Sequence, residues 1–285
     1  MRATEFLAAL DSFLEAVLRT RREIATAKAT ATAQRAIAHA FREQGRVFLT
    51  AWERRLRRAG LHEGPPPPPP PPGDPALALS WEPAFSEAEI ATLQLFEEPI
   101  QALVEAAIQT GARAAIADLS ADISFSLANP RAVAFLEQYG ARRVTMINET
   151  TRSEIQRMVA RGVREGLSYD QVAKDITARF REFSVGKPQL HIDSRAHLVA
   201  VTEAANGYEE GNLIVGRDLR AAGIEMEHKW STVKDSRVSE GCRANEGAGW
   251  LGIDSAFPSG HERPPRFPGC RCTTLYQRKP TKKTP

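Results

Sequence analysis

A chain of 285 residues with 42% hydrophobic content has room for two packed cores, since one core ordinarily serves about 100 to 200 residues. Its formal charge of +3 does not by itself mark a nucleic-acid binder, no apolar run approaches the roughly 18 residues of a membrane span, and three cysteines cannot complete a disulfide framework. The opening M-R-A-T-E-F lacks the basic-then-apolar layout of an export signal, so a reducing compartment is expected, with thiols or metal ligands favoured over bridges.

From Phe6 to Leu18 the apolar residues recur at three-and-four spacing, which predicts an amphipathic helix. The Ala/Thr-rich stretch 25–40 carries little apolar bulk, and Val47, Phe48, Trp52 and Leu56 then restore the stripe, giving one long helix or a helical hairpin. Arg54, Arg55, Arg57 and Arg58 beside Trp52 form the densest basic patch, a candidate DNA contact or, more plainly, a solvated helix face. Pro65 to Pro72 is an unbroken proline run that settles into polyproline II, a semi-rigid spacer of about 25 Å.

Ser86 and Glu89 form a capping box that is expected to open a helix with Ile90, Leu93, Ile100, Leu103, Val104 and Ile108 on its buried side, kinked at Pro99. Asn129-Pro130 marks another start and Gly140 a stop, with a further helix over about 142–161. Ser168 to Gln171 repeats the capping-box logic, and Ser194 opens the helix that carries Thr202-Glu203. Beyond Gly223 the period changes: Ile224, Met226, His228 and Trp230 alternate with charged residues, as in a half-buried strand. Gly and Pro are dense from Lys234 on, with short apolar pieces at 250–251, 253, 257 and 273–276. The fold class is α+β, a mainly helical N-terminal two-thirds followed by a small antiparallel sheet in a loop-rich C-terminal subdomain. The expected organisation is a helical arm over 1–62, a polyproline linker over 63–80, a helical region over 81–149, a domain over 150–276 and a disordered basic tail over 277–285.

All three cysteines fall between Trp230 and Cys272. Cys242, Cys270, Cys272 and His261 offer three sulfurs and one nitrogen, a ligand set suited to structural zinc, which would hold the shape of a subdomain too small for a large core. Zinc pairs are usually two to four residues apart, whereas one residue separates Cys270 from Cys272, so burial of the thiols as small apolar groups is the competing reading. The zinc-deaminase signature fails on both halves, because Glu262 follows His261 directly and the cysteine interval is wrong. A Cys242–His261 nucleophile–base pair lacks any companion sign of an oxyanion hole. Asp235 and Arg237, just past the strand with Thr232 and His228 close in sequence, could serve a nuclease or transferase if they converged in a cleft, and read more plainly as turn architecture; with Arg195 and Glu203 they are expected to form a polar network tying the last helix to the sheet.

Arg195-Ala196 through Thr202-Glu203, Trp230-Ser231-Thr232, Asp235-Ser236-Arg237, Cys242, Phe257, Pro264-Pro265 and Cys270-Arg271-Cys272 stand in the order and spacing of a known pattern. In these residues the chain resembles the Mu F-like minor head proteins of tailed bacteriophages, also called phage head morphogenesis proteins, over about residues 150–276. Cys242 stands where many relatives carry His, and Phe267 where they carry the His of H-P-x-C-R-C. The resemblance implies a non-enzymatic minor capsid protein, built in the bacterial cytoplasm and residing in the virion at the capsid interior or portal vertex. The partners it implies are portal, major capsid or scaffolding proteins and packaged DNA, with no membrane, and a role in head assembly and in DNA packaging or ejection. The alternatives are a small nuclease or nucleotide-modifying enzyme, and a zinc-stabilised DNA-binding module.

Overall fold

The computed structural model describes residues 3–58, 75–165, 167, 169–185 and 194–280. In chain order these form α1 (Ala3–Arg58), α2 (Pro75–Asp118), α3 (Pro130–Glu165), α4 (Tyr169–Val185), α5 (Arg195–Ala221), β1 (Met226–Ser231), α6 (Glu240–Gly247), β2 (Trp250–Gly252) and β3 (Thr273–Arg278). The architecture is therefore mostly helical with a three-stranded antiparallel sheet near the C-terminus, strand order β2-β1-β3. No described helix is long and apolar enough to cross a membrane.

The chain divides into two compact units, Met1–Thr32 with Gln101–Glu137 and Leu198–Pro285, and Ala33–Ile100 with Gln138–His197. The second unit is built on aromatic rings. Phe41 packs on Phe96 at 5.0 Å, Phe48 on Phe85 at 5.8 Å and Trp52 on Tyr169 at 5.0 Å between ring centres. Edge-on pairs of this kind add to area burial because ring faces are electron-rich and ring edges electron-poor.

In the first unit α2 and α5 meet backbone to backbone. A Cβ placed on Gly111 would lie 2.0 Å from Tyr208 O, and one on Gly211 would lie 2.1 Å from Ile108 O. Only glycines at these crossings let the helices approach so closely. Beyond the crossing, Ala112 and Ala115 of α2 share a core with Leu213, Val215 and Leu219 of α5, Met226 of β1 and Ile253. A second cluster lies at the other end of the sheet, where Trp230, Val238, Cys242, Phe257, Cys270 and Cys272 pack together.

Local signals were followed where packing agreed with them. Asn129 Oδ1 accepts from the Arg131 amide at 2.9 Å as α3 begins, Ser194 Oγ accepts from His197 N at 3.1 Å as α5 begins, and Met226, His228 and Trp230 of β1 are buried. Ala3–Arg58 is one long helix, not a hairpin. Other signals were overridden. Helix α2 starts at Pro75 rather than at Ser86, because Trp81, Ala84, Phe85 and Ala88 continue one buried stripe through the capping box. That stripe leaves Ile90 79% and Leu93 40% exposed, contrary to their expected burial. Gly140 does not stop α3, which runs on to Glu165, and Gln277 and Arg278 belong to β3 rather than to a tail. The side chains of the Phe6–Leu18 stripe, the proline run, Ser168 and residues 281–285 lie outside the described residues.

Candidate metal centre

Cys242 sits in the first turn of α6, whose N-cap Ser239 accepts from the Cys242 amide at 3.4 Å. Cys270 and Cys272 lie on the segment entering β3. Both thiols are buried, while Arg271 between them is only partly buried and reaches Asp235.

The three Sγ atoms all lie within 4.8 Å of one another, with Cys242 and Cys270 4.0 Å apart. Sulfurs at about 2.3 Å from a tetrahedral zinc ion stand about 3.8 Å apart. Exposures of 1%, 7% and 4% for Cys242, Cys270 and Cys272 exclude bulk water from the cluster.

Donors converge on these sulfurs. The Cys272 thiol donates to Cys270, the backbone amides of Arg266 and Cys272 point at the same sulfur, and together with Cys242 they bring Cys270 down to about 6 although burial opposes it. Cys272 is pushed up correspondingly, by holding the proton it shares with Cys270 and by burial. The Trp230 indole N–H is buried and makes no hydrogen bond of ordinary geometry, yet it stands close enough to Cys272 to favour its thiolate. An otherwise orphaned donor beside a thiol, with amides aimed at its neighbour, is what a thiolate centre needs and an apolar thiol cluster does not. The three sulfurs therefore fit a thiophilic metal ion. His261 is not in this set. Its Nδ1 lies 3.1 Å from Ser259 Oγ and 3.0 Å from Ser259 O, and Asn245 braces the same loop through Ser259 N at 3.0 Å.

The remaining motif residues form the frame. Thr232 binds Glu246 of α6 twice, through its amide at 3.0 Å and its hydroxyl at 2.8 Å. Phe257 packs edge-on against Trp230 at 5.3 Å and lies 4.5 Å from His228. Thr202 Oγ1 accepts from Gly269 N at 3.0 Å, fixing the turn before Cys270, and Gly269 takes a φ of 77° that suits glycine. Pro264 is buried and its carbonyl accepts from Arg263 at 2.9 Å, while the neighbouring Pro265 is partly buried. Asp235 receives Arg271 Nη2 on both oxygens, at 2.8 and 2.6 Å, and Arg237 at 3.4 Å.

Arg195 has a different setting from the one expected beside Asp235 and Arg237. It donates to Ile147 O at 2.8 Å and lies over the adjoining rings of Phe41 and Phe183, 5.0 and 4.5 Å from their centres, and burial brings it down to about 10. Glu203 is buried, at 3% exposure, on α5. In the basic patch Arg54 and Arg55 pair with Glu87, Arg57 pairs with Glu53, and Arg58 is exposed.

Sequence reasoning passed over Glu246, Asn245 and, above all, Glu209. Ala205, Glu209 and Leu213 are four apart and all buried, so a carboxylate occupying a core position of α5 was the available signal.

A helical scaffold here frames a small sheet around three buried thiols. Residues 153–275 match the family described as Phage Mu protein F like protein, and this span is a Mu F-like domain, from a family of phage head morphogenesis and minor head proteins that are generally structural. No curated protein and no solved structure gave a significant match.

Proposed function

We propose that the chain is a minor head component of a tailed phage, docking on the portal or the capsid interior during head assembly and assisting DNA packaging or ejection. The observation that carries the reading is the Mu F-like span itself, in which Trp230, Thr232, Asp235, Phe257 and Arg271 each have a framing contact. The partners follow from that family role: portal, major capsid or scaffolding proteins, with packaged DNA as a neighbour. Two features weigh against a nuclease. His228 is fully buried, with Nε2 3.0 Å from Ser255 O, and the Asp235 carboxylate is occupied by two guanidinium groups. Pairing of three of the four arginines in the basic patch likewise favours helix ties over phosphate contact. The test is co-expression with the portal and major capsid proteins of the same phage, followed by isolation of assembled heads. Retention of the protein in heads supports the proposal, and its complete absence from portal-containing heads overturns it.

Within this role Cys242, Cys270 and Cys272 would hold a zinc ion, which when bound would cross-link α6 to the segment entering β3. About one zinc per chain by elemental analysis, lost in Cys270→Ser and Cys272→Ser together with resistance to unfolding, is the expected result. Full stability without metal overturns it.

A further inference from the structure

Arg22 belongs to α1, outside the 153–275 span that matches the family, yet its guanidinium is buried in the same compact unit as the thiol cluster. Nη1 donates to Glu209 Oε1 at 3.0 Å and to the carbonyl oxygen of Cys272 at 2.9 Å. Glu209 has no exposure. Its Oε1 also accepts from Thr273 Oγ1 at 2.6 Å and its Oε2 from Thr274 N at 3.1 Å. The backbone from Cys272 to Thr274 is thus held by one buried ion pair, half of it on α5 and half on α1.

We propose that Arg22 is a positioning residue for the thiol centre, so that metal binding and the docking of α1 around Arg22 form one linked equilibrium. The inference rests on the metal reading above. A ligand is only as well placed as its backbone, and losing an outer-shell contact of this kind typically lowers metal affinity about 10- to 100-fold. The charges point the same way, because three thiolates around a divalent ion leave a net negative charge that a buried guanidinium on the Cys272 carbonyl helps to offset. Linkage is reciprocal: whatever Arg22 adds to metal affinity, the metal returns to the docked state of α1.

Two measurements on the full-length chain test this. In the first, cobalt(II) or zinc(II) is titrated against a competing chelator in the wild type, Arg22→Gln and Arg22→Lys, with cobalt–thiolate absorption as the readout. Affinity is expected to fall about 10- to 100-fold in Arg22→Gln and to recover in part in Arg22→Lys. In the second, amide exchange of residues 22–32 in the wild type is compared with and without zinc, and zinc is expected to slow it. This arm stands even if Arg22→Gln fails to fold. Unchanged affinity in a folded Arg22→Gln, or unchanged exchange in a zinc-loaded wild type, overturns the linkage while leaving the metal reading intact. Absence of cobalt–thiolate absorption in the wild type overturns the metal reading, and the linkage with it.

Discussion

Gly211→Ala is a small change with a large expected cost. The new Cβ would stand 2.1 Å from Ile108 O and 2.7 Å from Ala112 N, whereas ordinary contact begins at 3.4 Å. The obstructing oxygen is a helical carbonyl committed to the hydrogen bonding of α2, so it cannot swing aside as a side chain would. Relief requires α2 and α5 to part by about 1.3 Å, which loosens the interior they share in a tightly packed protein. Overpacking of this kind costs about 1–3 kcal/mol, and a backbone obstruction belongs at the upper end, about 3 kcal/mol. Gly247→Ala is the internal control. Nothing lies within 4 Å of its added Cβ, and a helical glycine replaced by alanine should gain about 0.5 kcal/mol. Urea unfolding followed by tryptophan fluorescence should show a midpoint lower by on the order of 1 M for Gly211→Ala and unchanged or raised for Gly247→Ala. A Gly211→Ala protein within about 0.5 kcal/mol of the wild type would refute the close-crossing argument.

Arg195→Lys keeps the charge but loses the planar group that lies over both Phe41 and Phe183, so it should cost about 1–2 kcal/mol in chemical denaturation, and a loss-free variant would refute the cation–ring role. Asp235 is held below the usual carboxylate range, first by Arg271 and then by the Arg237 amide and the neighbouring positive charges. A carboxylate lowered on folding stabilises above its ordinary value of about 4, and that contribution is lost as the pH falls through the lowered value. Asp235→Asn should therefore show a flatter loss of stability than the wild type as the pH falls below about 4, and identical acid slopes would show that the Asp235–Arg271 pair does not couple to folding.

How much of this was legible in the residues depended on the range of the interaction. The β1 alternation and the caps at Asn129 and Ser194 are local, and the structure keeps them. The Ser86–Glu89 capping box is equally local but sits inside a stripe begun at Trp81, and burial of Trp81 and Phe85 outweighs a cap contributing about 1 kcal/mol. Gly140 failed as a stop for a related reason, since one glycine costs a helix only about 1 kcal/mol while α3 runs for 36 residues. Helix α6 went unseen because it is eight residues long and buries only Cys242 and Asn245, too few positions to show a period. At the candidate site the three cysteines were visible as a set. That His261 would turn to Ser259 was not, because the choice is made by a loop whose shape depends on Asn245, fourteen residues earlier than Ser259. The contacts of Arg22 with Glu209 and Cys272 cross 187 and 250 residues, and no window along the chain spans them.

The span that carries family resemblance and the span that closes a core are different objects here. Leu213, Val215 and Leu219 of the Mu F-like span are completed by Ala112 and Ala115, and Gly207 and Gly211 are covered by Val104 and Ile108, all four of these partners lying upstream of residue 153. A fragment trimmed to the recognisable borders would present α5 with its glycine groove and leucines bare, an adhesive surface rather than a domain. The heritable unit of this fold therefore includes the second half of α2, and a chimera between two chains of this fold would need to exchange both pieces together.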